Sequence, residues 1–277
     1  MSKPIVLAIA AHPDDIEFMM AGTMVLLHQL GCDLHMMNLC NGCLGSQTES
    51  PKMIAQRRQD EAQEAARRLH AELHPPICND VELVYRPEYI EKVASVVRQV
   101  RPSILLIHSP EDYMEDHMIA CRISVTAAFV RAMPNYITVP PRNPYYEDVT
   151  LYHALPYGLR DGLGRAVQPE MFVDISAVVE EKKKALASHK SQKQWLDKTQ
   201  GIDSYLDTME EMSREVGRWS FAFKNAEGWR RHNSLGFCGK QSNPMLQLLG
   251  SRALMSEDYE KSLDEGISPY PRAGGTE

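Results

Sequence analysis

Pro4-Ile5-Val6-Leu7-Ala8-Ile9-Ala10 runs without a break into Ala11-His12-Pro13-Asp14-Asp15. An apolar, β-branched run of this length reads as a buried strand of a parallel sheet. One imidazole and two carboxylates follow at the strand's carboxyl end. In open α/β sheets, ligands bind outside those ends, at the point where the strand order reverses. A nucleotide-binding first turn would carry a glycine-rich phosphate loop. This one carries nitrogen and oxygen donors suited to a divalent metal. The corner favours metal chemistry over nucleotide binding.

Outward from that corner, strand and helix signals alternate. Glu17 to Leu30 has apolar residues at helical spacing, and Gly31 stands where a helix C′ residue belongs. Asp33 to Leu39 reads as a second strand, closed by the glycine-containing loop Asn41 to Ser46. Helices are predicted over Pro51–His70, Tyr89–Val100 and Met118–Met133, with a short buried strand at Ser103–His108. Such alternation implies βαβ crossovers. The expected fold class is therefore α/β: a three-layer, mostly parallel sheet with helices on both faces. Farther on, Pro134 to Pro144 has no periodicity, Thr150–Leu155 and Met171–Ile175 read as strands, and helices are predicted from Ser176 to about His189 and over Ser204–Arg218. Residues 1–238 are read as a single domain and 239–277 as an irregular, loosely attached C-terminal extension.

Composition removes several function classes. The 277 residues carry a net charge of −7, and the pI near 5.8 offers no basic face for nucleic acid. No apolar run approaches the roughly 18 residues needed to span a bilayer, so no membrane role is expected. Met1-Ser2-Lys3-Pro4 shows none of the features of a signal peptide. Cys32, Cys40, Cys43, Cys78, Cys121 and Cys238 are scattered, as buried thiols of a reduced, cytoplasmic compartment would be. Cys40-x-x-Cys43 has no second pair and makes a poor zinc ribbon. A small-molecule substrate is expected, and the chain is compatible with a homo-oligomer.

Catalytic zinc usually keeps three protein ligands and an open position. His12 and Asp15, three residues apart across the turn, are close enough to converge on one ion. A third ligand should come from a neighbouring strand end. His117 qualifies, because it follows the strand ending at His108, in Glu111-Asp112-Tyr113-Met114-Glu115-Asp116-His117. Asp14 is then left beside the metal, free to take a proton from water. The competing reading makes Asp14 or Asp15 a helix N-cap and the histidines core residues. Two carboxylates and a histidine at one strand end exceed what a cap requires.

Ala11-His12-Pro13-Asp14-Asp15-Ile16-Glu17, with Ala21-Gly22-Thr23 behind it, resembles the signature of the PIG-L/LmbE-like N-acetylglucosaminyl deacetylases. Weaker matches follow in the family's order over most of the chain: Asn41-Gly42 with Gly45, Arg58-Gln59-Asp60-Glu61-Ala62, Arg101-Pro102, His108-Ser109-Pro110, Asp116-His117, Ala185-Leu186 with His189-Lys190-Ser191-Gln192, and Ala226-Glu227-Gly228-Trp229. The resemblance implies a Rossmann-like catalytic domain that holds Zn2+, or another divalent transition metal, through His12, Asp15 and His117. It implies Asp14 as general base and places Arg58 and Asp80 toward substrate. The implied activity is that of a metal-dependent N-deacetylase, a hydrolase acting on an N-acetylated amino sugar or a similar small N-acyl compound.

One position departs from the pattern. The family's motif is histidine-x-aspartate-histidine, and its first histidine supports the tetrahedral intermediate or protonates the leaving amine; here Met114 stands there. A thioether donates no proton, and removing one oxyanion donor typically costs about 10²–10³ in rate. Tyr113, His108, His153 and His189 are the alternative donors. Two other readings follow from Met114: a zinc-dependent hydratase of an unsaturated carboxylic acid, where no amine leaves, or a catalytically decayed sugar- or metal-binding protein.

Overall fold

The computed structural model describes residues 3–192 and 205–264. Its eight strands, β1 (Ile5–Ala10), β2 (Asp33–Asn38), β3 (Ala71–His74), β4 (Ile104–Ile107), β5 (Thr150–Ala154), β6 (Met171–Asp174), β7 (Ala226–Arg231) and β8 (Ala253–Met255), form one sheet. The spatial order is β3-β2-β1-β4-β5-β7-β6-β8. The first five strands are parallel. β7 runs antiparallel to both β5 and β6, and β8 antiparallel to β6.

β1 explains the layering. Val6, Ala8 and Ala10 face one apolar core and Leu7 and Ile9 the other, and all five are fully buried. A strand covered on both faces needs helices on both sides. α4 (Pro87–Val100) and α5 (Glu115–Phe129) cover the Leu7 face with Val93, Val97, Ile123 and Ala127. The opposite face is covered by α2 (Ala21–Gln29), α6 (Val179–Leu186) and α7 (Tyr205–Ser220), through Leu26, Leu186 and Met209. α3 (Pro51–Arg68) starts at Pro51 with Ser50 as its cap, the hydroxyl accepting from the Met53 amide.

The single helix expected over Glu17–Leu30 is two: α1 (Asp15–Met19) and α2, interrupted at Met20. The cause is tertiary. The Glu227 carboxylate, on β7, accepts from the Gly22 and Thr23 amides at 2.9 and 2.7 Å and from the Lys182 ammonium at 2.7 Å. It therefore caps a helix that begins at Ala21. A Cβ on Gly22 would sit 2.7 Å from Ile175 Cγ2, so this close approach requires glycine.

The segment after Gly239 also differs from expectation. A short helix, α8 (Pro244–Leu249), buries Met245 and Leu249 in the core beneath α2. β8 then pairs with β6 as an edge strand. The expected loose extension is, as far as Met255, an integral part of the sheet; a last helix, α9 (Glu257–Asp264), follows on the surface. Among the described residues, no helix is long and apolar enough to cross a membrane.

Candidate metal centre

From β1 the chain steps outward to β2 and β3, then returns to β4 on the other side of β1 and continues to β5. The carboxyl ends of β1 and β4 therefore flank the point where strand order reverses, the crevice in which such sheets bind ligands. His12, Asp14 and Asp15 leave one of these ends, and the segment Asp112 to His117 leaves the other.

The three expected ligands meet there. His12 Nδ1 lies 3.4 Å from Asp15 Oδ2, and His117 Nε2 lies 3.4 Å from Asp15 Oδ1. One donor atom from each of the three residues falls within 4.8 Å of the others. Ligands at 2.0–2.1 Å from a tetrahedral ion stand about 3.3 Å apart, so the donor set fits one. The outer nitrogens are already engaged. His12 Nε2 is 3.0 Å from Asp116 Oδ2, and His117 Nδ1 is 3.0 Å from Asp112 Oδ1. A carboxylate on the outer nitrogen fixes ring orientation and leaves the inner lone pair for a metal.

Electrostatics agree with this. Burial opposes charge on either imidazole, yet hydrogen bonds to Asp116 and Asp15 raise the His12 pKa to about 9. Asp15 and Asp112 overcome burial at His117 in the same way and raise it to about 10. Against its own burial, Asp15 is held well below the ordinary carboxylate range by His117, His108 and His12. The carboxylates make this a place that favours positive charge.

Asp14 occupies the N-cap position of α1, but its side chain does not cap the helix. Its φ of 110° is a conformation that non-glycine residues rarely adopt. The side chain turns instead between two distant elements. Arg58 Nη2 of α3 donates to Oδ1 at 3.1 Å, and the Tyr205 hydroxyl of α7 donates to Oδ2. Burial raises the Asp14 pKa although Arg58 pulls it down.

Arg58 is 3% exposed and also donates to the Pro13 carbonyl at 2.6 Å; it is no surface helix arginine. Gly42, at φ 75°, lies against it, and a Cβ there would come within 2.5 Å of Arg58 Cδ. Asp80 holds that glycine loop in place, accepting from the Gly42 and Leu44 amides at 2.7 and 3.0 Å. Both residues line the cavity, with the Arg58 guanidinium engaged by Asp14 and the Asp80 carboxylate by the loop.

The cavity over these groups has a volume of about 270 Å³, with apolar and aromatic walls that include Phe18, Leu44, Tyr113, Met114, Tyr157 and Tyr205. Met114 is thus at the site, where it presents a thioether. Of the alternative donors, Tyr113 lines the cavity. His108 is fully buried and stacks on His117 at 4.2 Å, and its Nε2 lies 2.9 Å from the Ala11 amide nitrogen and 3.2 Å from Asp15 Oδ2. His153 donates from Nδ1 to the His108 carbonyl at 2.9 Å, and His189 sits buried 3.3 Å from Glu17.

Three contributors escaped the sequence reading. Asp112 and Asp116 lay in plain view as an acidic cluster, but nothing marked them as partners of His117 and His12. Tyr205 carried no signal at all, because it reaches Asp14 from 191 residues away.

Comparison with known proteins identifies relatives of the whole fold. Residues 7–129 match the PIG-L family, described as GlcNAc-PI de-N-acetylase. A diacetylchitobiose deacetylase of Thermococcus kodakarensis is 30% identical over 194 residues, covering 68% of this chain and 69% of the relative. The chain belongs to the PIG-L family. Among solved structures, the fold is similar to that of GalB, the 4-carboxy-2-hydroxymuconate hydratase of Pseudomonas putida KT2440, with a TM-score of 0.71 and 20% identity over 87% of this chain and 99% of that one. It is also similar to the N,N'-diacetylchitobiose deacetylase of Pyrococcus horikoshii, with a TM-score of 0.69 and 22% identity over 83% and 84%.

Proposed function

We propose that this protein is a zinc-dependent deacetylase of an N-acetylated amino sugar or a similar small N-acyl compound. The observation that carries the reading is the meeting of His12, Asp15 and His117 at one point, with Asp14 beside them in a small cavity. The family and the deacetylase relative support it. His12 Nδ1, Asp15 and His117 Nε2 would hold the cation. Bound there, it supplies Lewis acidity to the acyl carbonyl and acidifies a water.

The chain's own residues supply the rest. Asp14 takes the proton of the attacking water, and a carboxylate with a raised pKa is a better acceptor than an ordinary one. Arg58 and Tyr205 fix the plane of that carboxylate, each from one oxygen. Asp14 then returns the proton to the leaving amine, since Met114 has none to give. Tyr113, at the cavity wall, is the donor available to the carbonyl oxygen as its carbon becomes tetrahedral. Phe18, Leu44 and Met114 give the acyl methyl an apolar surface and keep bulk water out. Arg58 and Asp80 face the cavity, the first acting through Asp14 and the second through the loop it anchors. Free thiols at all six cysteines support a cytoplasmic setting.

A second reading, hydration of an unsaturated carboxylic acid, is favoured by Met114, because no amine then needs a proton. The two separate in one assay. Zinc-loaded protein is offered N-acetylglucosamine and N,N'-diacetylchitobiose with acetate and primary amine as readouts, and in parallel an enoate followed by its absorbance. Acetate release that Asp14→Asn removes supports the deacetylase. Enoate consumption without acetate release transfers the site to the hydratase.

A further inference from the structure

Away from this centre, β2 and the edge strand β3 bring three donors together. Parallel pairing sets His35 opposite Glu72 and Met37 opposite His74. Side chains alternate along a strand, so His35, Glu72 and His74 share one face. It is the face on which Met37 joins the core beneath α4 and α5, while Ala71 and Leu73 pack on the other side. His35 Nδ1 lies 3.1 Å from His74 Nε2 and 3.7 Å from Glu72 Oε2. One donor atom from each residue falls within 4.8 Å of the others. These separations bracket the roughly 3.3 Å between ligands of a tetrahedral ion, to which the 3.4 Å separations at His12, Asp15 and His117 also lie close.

We propose that His35, Glu72 and His74 form a second, peripheral site for a divalent transition cation of the zinc type. Two imidazoles and a carboxylate select such an ion over magnesium or calcium, which prefer all-oxygen shells. Three protein ligands leave a coordination position for water. The site is approachable, since the Glu72 side chain is 64% exposed and that of His35 17%. Burial lowers the pKa of both histidines, so their nitrogens compete weakly for protons at neutral pH. Without a cation, the two facing nitrogens can share a single proton. A cation in that place ties the sheet's outermost strand to its neighbour.

The test uses the full chain stripped by chelator, titrated with zinc alone and followed by calorimetry and by metal content after gel filtration. Wild type should take up two equivalents, His35→Ala and His12→Ala one each, and the double variant none. Glu72→Gln, which replaces an anionic ligand by a neutral one at an exposed position, should weaken the peripheral equivalent by at least about tenfold, the low end of what loss of even an outer-shell partner costs. His35→Ala should leave deacetylase activity unchanged. The proposal is overturned if His35→Ala still binds two equivalents, or if wild type binds none or one that only His12→Ala removes. A single equivalent lost in His35→Ala and kept in His12→Ala would uphold the peripheral site and remove the proposed catalytic one.

Discussion

Replacing Asp14 by Asn keeps the shape of the side chain and removes its capacity to accept a proton. Acetate release should fall by about 10²–10⁴, the usual worth of a positioned acid–base group, while zinc content is unchanged. Full activity in Asp14→Asn would remove it from the reaction. Tyr205→Phe is the finer probe, because it deletes one hydroxyl from a buried ring. A carboxylate held at Oδ1 alone can swing about its last torsion, which is broad and two-fold. Misplacement of about 1 Å can cost 10²-fold, so kcat should drop by about ten- to a hundredfold with KM and metal content preserved. A rise in KM alone would instead limit Tyr205 to contact with substrate at the cavity wall.

The two histidines proposed as ligands also carry a pH signature. Their folded pKa values in the metal-free chain, about 9 for His12 and about 10 for His117, exceed the ordinary 6.5. The stability they contribute is fully present below pH 6.5 and is lost as pH rises through the folded values. The Tm of stripped protein should therefore fall between pH 7 and pH 10. Zinc uptake at pH 7 should release protons, measured as a dependence of binding enthalpy on the ionisation enthalpy of the buffer. An enthalpy identical in all buffers would contradict the assignment of these nitrogens.

Among elements, α8 is the one whose importance local sequence concealed. Pro244 to Leu249 is too short to show a helical period, yet Met245 is fully buried beneath α2. Met245→Ala should cost about 2–5 kcal/mol, read as a lower midpoint in urea; a change near zero would mean the segment is only loosely laid on. β3 and β8 escaped for related reasons. Ala71-Glu72-Leu73-His74 is four residues at an edge with two polar side chains, and Ala253 to Met255 is three. β1 and β4 were legible because strands buried on both faces must be apolar throughout. The break at Met20 was not legible, since Glu227 makes it from across the sheet.

For the molecule as a whole, Glu227 and Lys182 join three parts of the chain: β7, α6 and the start of α2. Both are buried, and the carboxylate accepts from one ammonium and two amides. Lys182→Met leaves a buried charge short of its counterion, a loss that typically costs about 3–5 kcal/mol. At about 2–4 °C per kcal/mol for a chain of this size, Tm should fall by roughly 10 °C, and a fall under 2 °C would show the pair to be incidental.

Local order along the chain was enough for the α/β alternation, the donor-rich corner at His12-Pro13-Asp14-Asp15 and the choice of His117 as its distant complement, because each rests on residue type and spacing within a few positions. What Asp112, Asp116, Arg58 and Tyr205 do could not be read that way. Each acts through a direction in space, a carboxylate behind an imidazole or a hydroxyl against one oxygen of Asp14, and such directions exist only once strands far apart in the chain have been laid side by side.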